Sequence, residues 1–269
     1  MRNLDCFEPR SLYFVKMSEG CCTTDLLPVC FSGILLITVS VSFVIAVAQS
    51  DITPWFPAIS DTATNSPESN VFSQLVNIST FIGFILVYVR YLQIKRDVAY
   101  LMGSRTILIL NRYSLLFGLL SILGASVVGN FPETEIEVVH DVGAGIFFVL
   151  GNVYAWIQVA ISYHMRKFGL LKSCICIVRT VVSVLSTLSV FVFLILSSYA
   201  AKLWSGNKLY WHSDDPGYTV HVIGNAFEWL LVFNFLILML TFTKELSNSR
   251  LQIKLVRNPG DYEPIPVST

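Results

Sequence analysis

The run LLPVCFSGILLITVSVSFVIAVA, Leu26 to Ala48, places twenty-three residues in a row without a charge. As a helix rising about 1.5 Å per residue, it is long enough to cross the roughly 30 Å hydrocarbon core of a bilayer. Five similar runs follow, roughly Val71 to Gln93, Tyr113 to Phe131, Val142 to Tyr163, Ile175 to Tyr199 and Thr219 to Thr243. In lipid only helices and closed barrels satisfy their own backbone polar groups. These runs are continuous in Leu, Ile, Val and Phe and lack the alternation of a barrel strand. The sequence therefore predicts an all-α polytopic membrane protein. Its six-transmembrane-helix bundle covers residues 26–246, between tails at 1–25 and 247–269. The composition agrees, with 13% charged residues against about 25% in an ordinary soluble domain.

Orientation follows from Lys and Arg, which are retained on the cytosolic side of span ends. Arg2, Arg10 and Lys16 lie in the amino-terminal tail, and Arg90, Lys95, Arg96, Arg105 and Arg112 in the second loop and its flanks. Arg166, Lys167, Lys172 and Arg179 flank the fourth loop, and Lys244, Arg250, Lys254 and Arg257 belong to the carboxyl tail. Sixteen of the eighteen basic residues thus share one side, leaving Lys202 and Lys208 on the other. Both termini are expected to be cytosolic, with these charges read as topological anchors. Ala46-Val47-Ala48 has the small residues of a signal-peptidase site. The apolar run is too long and starts too far from Met1 for a signal peptide, so the first span is read as retained.

All six cysteines, Cys6, Cys21, Cys22, Cys30, Cys174 and Cys176, fall on the side expected to be cytosolic. A reducing compartment there argues against disulfides. Cys21, Cys22, Cys174 and Cys176 stand where juxtamembrane palmitoylation occurs; reduced thiols at a helix end are the simpler reading.

The opposite face is acidic and aromatic. Its first loop, Asp51 to Glu68, is dense in proline and polar turn formers, and Trp55 and Phe56 are suited to the headgroup level. The third loop, Pro132 to Asp141, is acidic apart from His140, and the fifth holds Trp204, Tyr210, Trp211, His212, Asp214, Asp215 and Tyr218. Facing an acidic organelle, such histidines and carboxylates would titrate near the local pH; an interfacial cap is the simpler role. The basic loops suit anionic headgroups or serve only as retention charges. No phosphate-binding Gly loop, kinase set or paired CxxC occurs, so soluble-enzyme readings find no support and no nucleic-acid partner is expected.

Inside the spans, Gly118, Ser121, Ala125 and Gly129 recur at helical spacing, as do Gly143 and Gly151, and are expected to let neighbouring helices approach closely. On the sixth span His221, Asn225 and Glu228 share a face, with Glu228 about 12 Å from its outer end. Glu228 is the one acidic residue well inside a span. It must face the bundle, be protonated or pair with a donor. His140, Asn130 and Asn152 are its expected partners. Functional and purely structural roles both remain open for it. His140, His212 and His221, with Asp141, Asp214, Asp215 and Glu228, would also furnish a zinc-activated water for lipid hydrolysis, but no HExxH-like spacing occurs. No cofactor or metal is expected. The sequon Asn77-Ile-Ser79 lies within a span, where glycosylation is not expected.

Taken in order, several segments resemble the DRAM family, the damage-regulated autophagy modulators, within the wider Frag/DRAM/Sfk group of six-span proteins. They are PxISDTxxxxPE from Pro57 to Glu68, with Ser60, Asp61 and Pro67; VRY at Val89 to Tyr91; and VGNFPET from Val128 to Thr134. His140 with Gly143-Ala144 follows, then Gly151 to Met165 with Tyr154, Gln158 and Ser162, then Trp211, Asp215-Pro-Gly-Tyr218, His221 and Glu228-Trp229. The chain departs in having Ala63 where the family commonly has Gly, and in its longer amino-terminal tail. The resemblance implies a multi-pass protein of lysosomal, endosomal or other endomembranes that promotes autophagy; it carries over no catalytic residue. Tyr262-Glu-Pro-Ile265 fits this address as a YxxΦ signal for trafficking adaptors.

Two functions are therefore expected. The first is a non-enzymatic modulator that binds membrane lipids or partner proteins. The alternative is a lipid-modifying enzyme or lipid transporter working through His140, His221 and Glu228.

Overall fold

The computed structural model describes residues 24–247 together with Ser249 and Leu251. Cys6, Cys21, Cys22, Tyr262 and Ile265 lie outside these residues. Six helices are long and apolar enough to cross a membrane: α1 Leu26–Gln49, α2 Glu68–Met102, α3 Arg105–Asn130, α4 Glu137–Lys167, α5 Ser173–Leu203 and α6 Tyr218–Leu246. The chain is a multi-pass membrane protein. A π turn over Val98–Met102 closes α2 and another, Ile146–Leu150, interrupts α4, while α6 breaks after Leu240 and re-forms at Thr243–Leu246.

The helices overrun the apolar stretches read from sequence, because a helix continues until a cap stops it. α2 continues through Lys95, Arg96 and Asp97 and ends only where Gly103 takes a left-handed φ of 60°. Ser104 then starts α3 by accepting a hydrogen bond from the Ile107 amide.

Each helix packs chiefly on its sequence neighbours, α1 on α2, α2 on α3, α3 on α4, α4 on α5 and α5 on α6, and contacts between α1 and α6 close the ring. The ring is apolar outside and partly polar within. Phe81 is 65% exposed and Ile195 63%, whereas Ser32, Thr38, Ser42, Ser79, Ser183 and Ser186 are buried. That inversion is expected where the surrounding solvent is lipid, as polar groups then gather between helices.

The small residues of α3 serve two neighbours. Gly129 lies against Val76 of α2, and Gly118 is wedged between Val87 of α2 and Tyr154 of α4. Ser121 donates to the Phe147 carbonyl of α4 at 2.8 Å. The closest approach is at Gly124, which the spacing argument passes over: a Cβ there would lie 2.6 Å from the Phe147 amide nitrogen and 2.7 Å from the Gly143 carbonyl oxygen.

Both ends of the described chain meet at the basic flank, where the Thr24 hydroxyl contacts the carbonyls of Leu246 at 2.7 Å and Ser249 at 2.8 Å. Of the cysteines here, Cys174 is exposed and Cys176 buried, its thiol directed at the Ser162 carbonyl. Burial removes Cys176 from the palmitoylation candidates.

Candidate functional site

The acidic flank is organised by the loop between α1 and α2, which folds inward instead of lying as a cap over the helix ends. Asp61–Ala63 forms a 3₁₀ turn. Asp61 Oδ2 accepts the Ala58 amide at 3.0 Å, and the Thr62 hydroxyl donates to the Ile59 carbonyl at 2.7 Å. These side-chain bonds to nearby backbone are what Asp and Thr offer in turns. Thr62 also pairs with Ser42 of α1 at 3.0 Å. Ile59, Asp61, Thr62 and Ala63 are all buried.

α6 holds this loop by its backbone. Glu228 Oε2 accepts the Ile59 amide at 3.1 Å, Asn225 Nδ2 donates to the Phe56 carbonyl at 3.0 Å, and Trp229 Nε1 donates to the Pro57 carbonyl at 2.9 Å. Asn225 Nδ2 also lies 3.0 Å from His221 Nε2, and the His221 ring stacks on Trp211 at 4.2 Å. The i, i+4, i+7 face of α6 is thus assembled, but the partners expected for Glu228 are elsewhere. His140 Nδ1 donates to the Phe131 carbonyl at 2.7 Å, Asn130 pairs with Asn77 at 2.9 Å, and Asn152 Oδ1 accepts Thr187 at 3.1 Å. Asp141 and Asn130 are exposed, outside the Glu228 neighbourhood.

Glu133, from the short loop between α3 and α4, completes the cluster. It lies beside Asp61 and Ser60, and Lys208 Nζ lies 3.5 Å from its Oε2. Burial and the adjacent Glu133 charge push the Asp61 carboxyl well above its ordinary range. Burial acts upward on Glu133 as well, but neighbouring Asp61, Lys208 and His140 outweigh it and hold Glu133 below its ordinary range. The arrangement thus favours the neutral form of Asp61 and the ionised form of Glu133. Glu133 and Lys208 were not singled out from sequence, since each reads there as an ordinary loop charge.

The remaining outer-loop residues have structural positions. Asp215 accepts the His212 amide at 2.7 Å, its carbonyl accepts the Tyr218 amide at 3.1 Å, and Gly217 supplies the φ of 90° from which Tyr218 begins α6. Glu68, behind Pro67, starts α2 with its side chain buried. Among the described residues no three His, Cys, Asp or Glu are placed to hold a metal ion. The zinc-hydrolase arrangement considered from sequence therefore lacks a ligand set.

A second polar cluster lies toward the basic flank. Glu245 pairs with Arg90 at 2.8 Å and also with Arg179. Arg90 donates to Gln158 at 3.2 Å and Gln93 at 2.8 Å; Arg179 donates to Ser162 at 2.6 Å and the Thr241 hydroxyl at 2.8 Å. Both guanidinium groups lie over the Phe242 ring, at 4.7 and 4.6 Å, a favourable cation–π geometry. Arg90 and Arg179 are 1% and 0% exposed. Two charges read from sequence as loop anchors are instead part of the core and join α2, α4, α5 and α6.

The Frag1/DRAM/Sfk1/Cwh43P N-terminal domain model matches residues 24–249. The chain belongs to this family. It is 34% identical to human "DNA damage-regulated autophagy modulator protein 1" over 243 residues, 86% of this chain and 96% of that protein. It is 32% identical to human "DNA damage-regulated autophagy modulator protein 2", over 79% of this chain and 80% of that protein. The Xenopus tropicalis "Modulator of macroautophagy TMEM150B" is 32% identical over 65% of this chain and 76% of its own length. No solved structure matches. Within this Frag1/DRAM/Sfk1 chain, the PxISDT and Glu228-Trp229 segments that carry the resemblance are in direct contact. VRY and the Gly151–Met165 run meet at Arg90 and Gln158.

Two outcomes test the acidic-flank geometry. Glu228→Gln keeps an acceptor for the Ile59 amide and should leave melting and cellular abundance near wild type. Glu228→Ala leaves that buried amide unpaired, at a cost of about 1–3 kcal/mol, and should lower both; an Ala variant as abundant as wild type would contradict the bond. The Asp61 proton makes stability pH-dependent. A carboxyl raised in the folded state contributes fully below the ordinary carboxylate range, and the contribution is lost as pH rises through the raised value. Glu133 acts in the opposite sense, below that range. Thermal stability in detergent should therefore fall as pH climbs above the ordinary carboxylate range. Asp61→Asn should flatten that slope.

Proposed function

We propose that this protein modulates autophagy from a lysosomal or endosomal membrane, binding membrane lipids or partner proteins without catalysing a reaction. The observation that carries this reading is the attachment of the Phe56–Thr64 loop to α6. Of the residues a lipid-modifying enzyme was expected to use, Glu228 accepts the Ile59 amide, His140 donates to the Phe131 carbonyl and His221 lies against Asn225, while Asn225 and Trp229 hold the loop backbone. The loop is thus fixed in the bundle, with Phe56 exposed at its edge and the stretch from Ile59 to Thr64 mostly buried. The names of the relatives, autophagy modulators and a macroautophagy modulator, support the process. The basic flank then faces the cytosol, the side on which a Tyr262-Glu-Pro-Ile265 signal would be read by trafficking adaptors.

Deleting the gene and restoring wild type or Tyr262→Ala tests the proposal. Wild type should restore autophagic flux and co-distribute with acidified vesicles, and Tyr262→Ala should shift toward the plasma membrane. Flux unchanged by deletion, together with wild type found solely at the plasma membrane, would refute it.

A further inference from the structure

A cleft of about 180 Å³ opens at the basic flank, lined by Thr24, Val89, Leu92, Gln93, Arg96, Ser249 and Leu251. Among the described residues its polar wall has donors to spare. Gln93 uses its oxygen to accept Arg90 at 2.8 Å, which leaves its amide NH₂ for the cleft. Arg96 gives Nε and Nη2 to Asp97 and one Nη1 hydrogen to the Ser249 hydroxyl at 3.2 Å, retaining two further N–H groups. Ser249, accepting there, keeps its own O–H to donate. Among the described residues the ion pairs set Arg90, Arg179 and Arg96 against Glu245 and Asp97, one more cation than anion. The other wall is apolar, and Leu251 is exposed at the rim.

We propose that this cleft binds the phosphate of an anionic membrane phospholipid. Gln93, Arg96 and Ser249 donate to the phosphate oxygens, and Val89, Leu92 and Leu251 lie along the first carbons of the lipid. A group that only accepts hydrogen bonds and brings one negative charge complements both these donors and the extra cation. The apolar wall and the position at the ends of the spans favour a lipid over a free ion.

The test uses the full chain in nanodiscs of phosphatidylcholine, with and without phosphatidic acid, reading retained lipid by mass spectrometry and the melting temperature. Wild type should retain phosphatidic acid and melt higher with it. Gln93→Glu strengthens the pair with Arg90, so the protein folds, but it places a like charge against the phosphate; retention should fall about tenfold or more. Arg96→Gln, at a half-exposed position, should weaken retention about tenfold. Undiminished retention by Gln93→Glu, or equal melting of wild type in the two membranes, would overturn the proposal. So would the same melting shift produced by inorganic phosphate in phosphatidylcholine alone, which would mark a free-anion site.

Discussion

Replacing Glu245 by Ala should destabilise the protein by about 3–5 kcal/mol, because it leaves two buried arginines without their shared anion. Arg90 and Arg179 converge on this carboxylate from α2 and α5. Each keeps neutral partners, Gln158 and Gln93 for one and Ser162 and Thr241 for the other. These satisfy N–H groups without balancing charge, so the loss is principally electrostatic. It occurs away from water and should respond little to added salt. Melting of the detergent-solubilised protein and its steady-state abundance report the outcome. Glu245→Gln should fall between the two, and an Ala variant that melts with wild type would show that the arginines find other counter-charge.

The second large effect is expected at Gly124. A side chain there would meet the backbone of α4 at Phe147 and Gly143. Backbone cannot rotate aside as a side chain can, so α3 and α4 must separate. Overpacking a close helix contact costs about 1–3 kcal/mol, occasionally more; Gly124→Leu should reach about 3 kcal/mol or exceed it. Gly145 is the internal control, since a Cβ there meets nothing within 4 Å. Gly145→Ala should melt at or slightly above wild type, as Ala also favours a helix over Gly. Equal melting of the two variants would contradict the close crossing.

The six helices were legible because length and apolarity are local properties, readable from any single run such as Leu26 to Ala48. The face formed by His221, Asn225 and Glu228 was legible for the same reason, since helical periodicity fixes it. What Glu228 touches was not. Its partner is a backbone amide at Ile59, 169 residues away, and an inventory of side chains cannot show a main-chain donor. Glu133 escaped notice because its perturbation comes from Asp61 and Lys208, brought near by two separate loops. Arg90 and Arg179 were read by the rule that counts charges near span ends, which does not ask whether the side chain points outward. The crossing at Gly124 fell between the positions Ser121 and Ala125 that a single-stripe reading selects. α3 in fact presents different small residues to α2 and α4. The polar outer loops looked like surface covering, since proline and turn formers suggest irregularity but not the direction in which a loop folds.

The tether from Thr24 to Leu246 and Ser249 brings the first and last of the described residues side by side. Complementary halves of a split fluorescent protein joined to the chain beside Thr24 and beside Ser249 would therefore reunite within a single polypeptide. Such a glow would report neither dimers nor higher assemblies; self-association must be sought with both halves on the same end of separate copies.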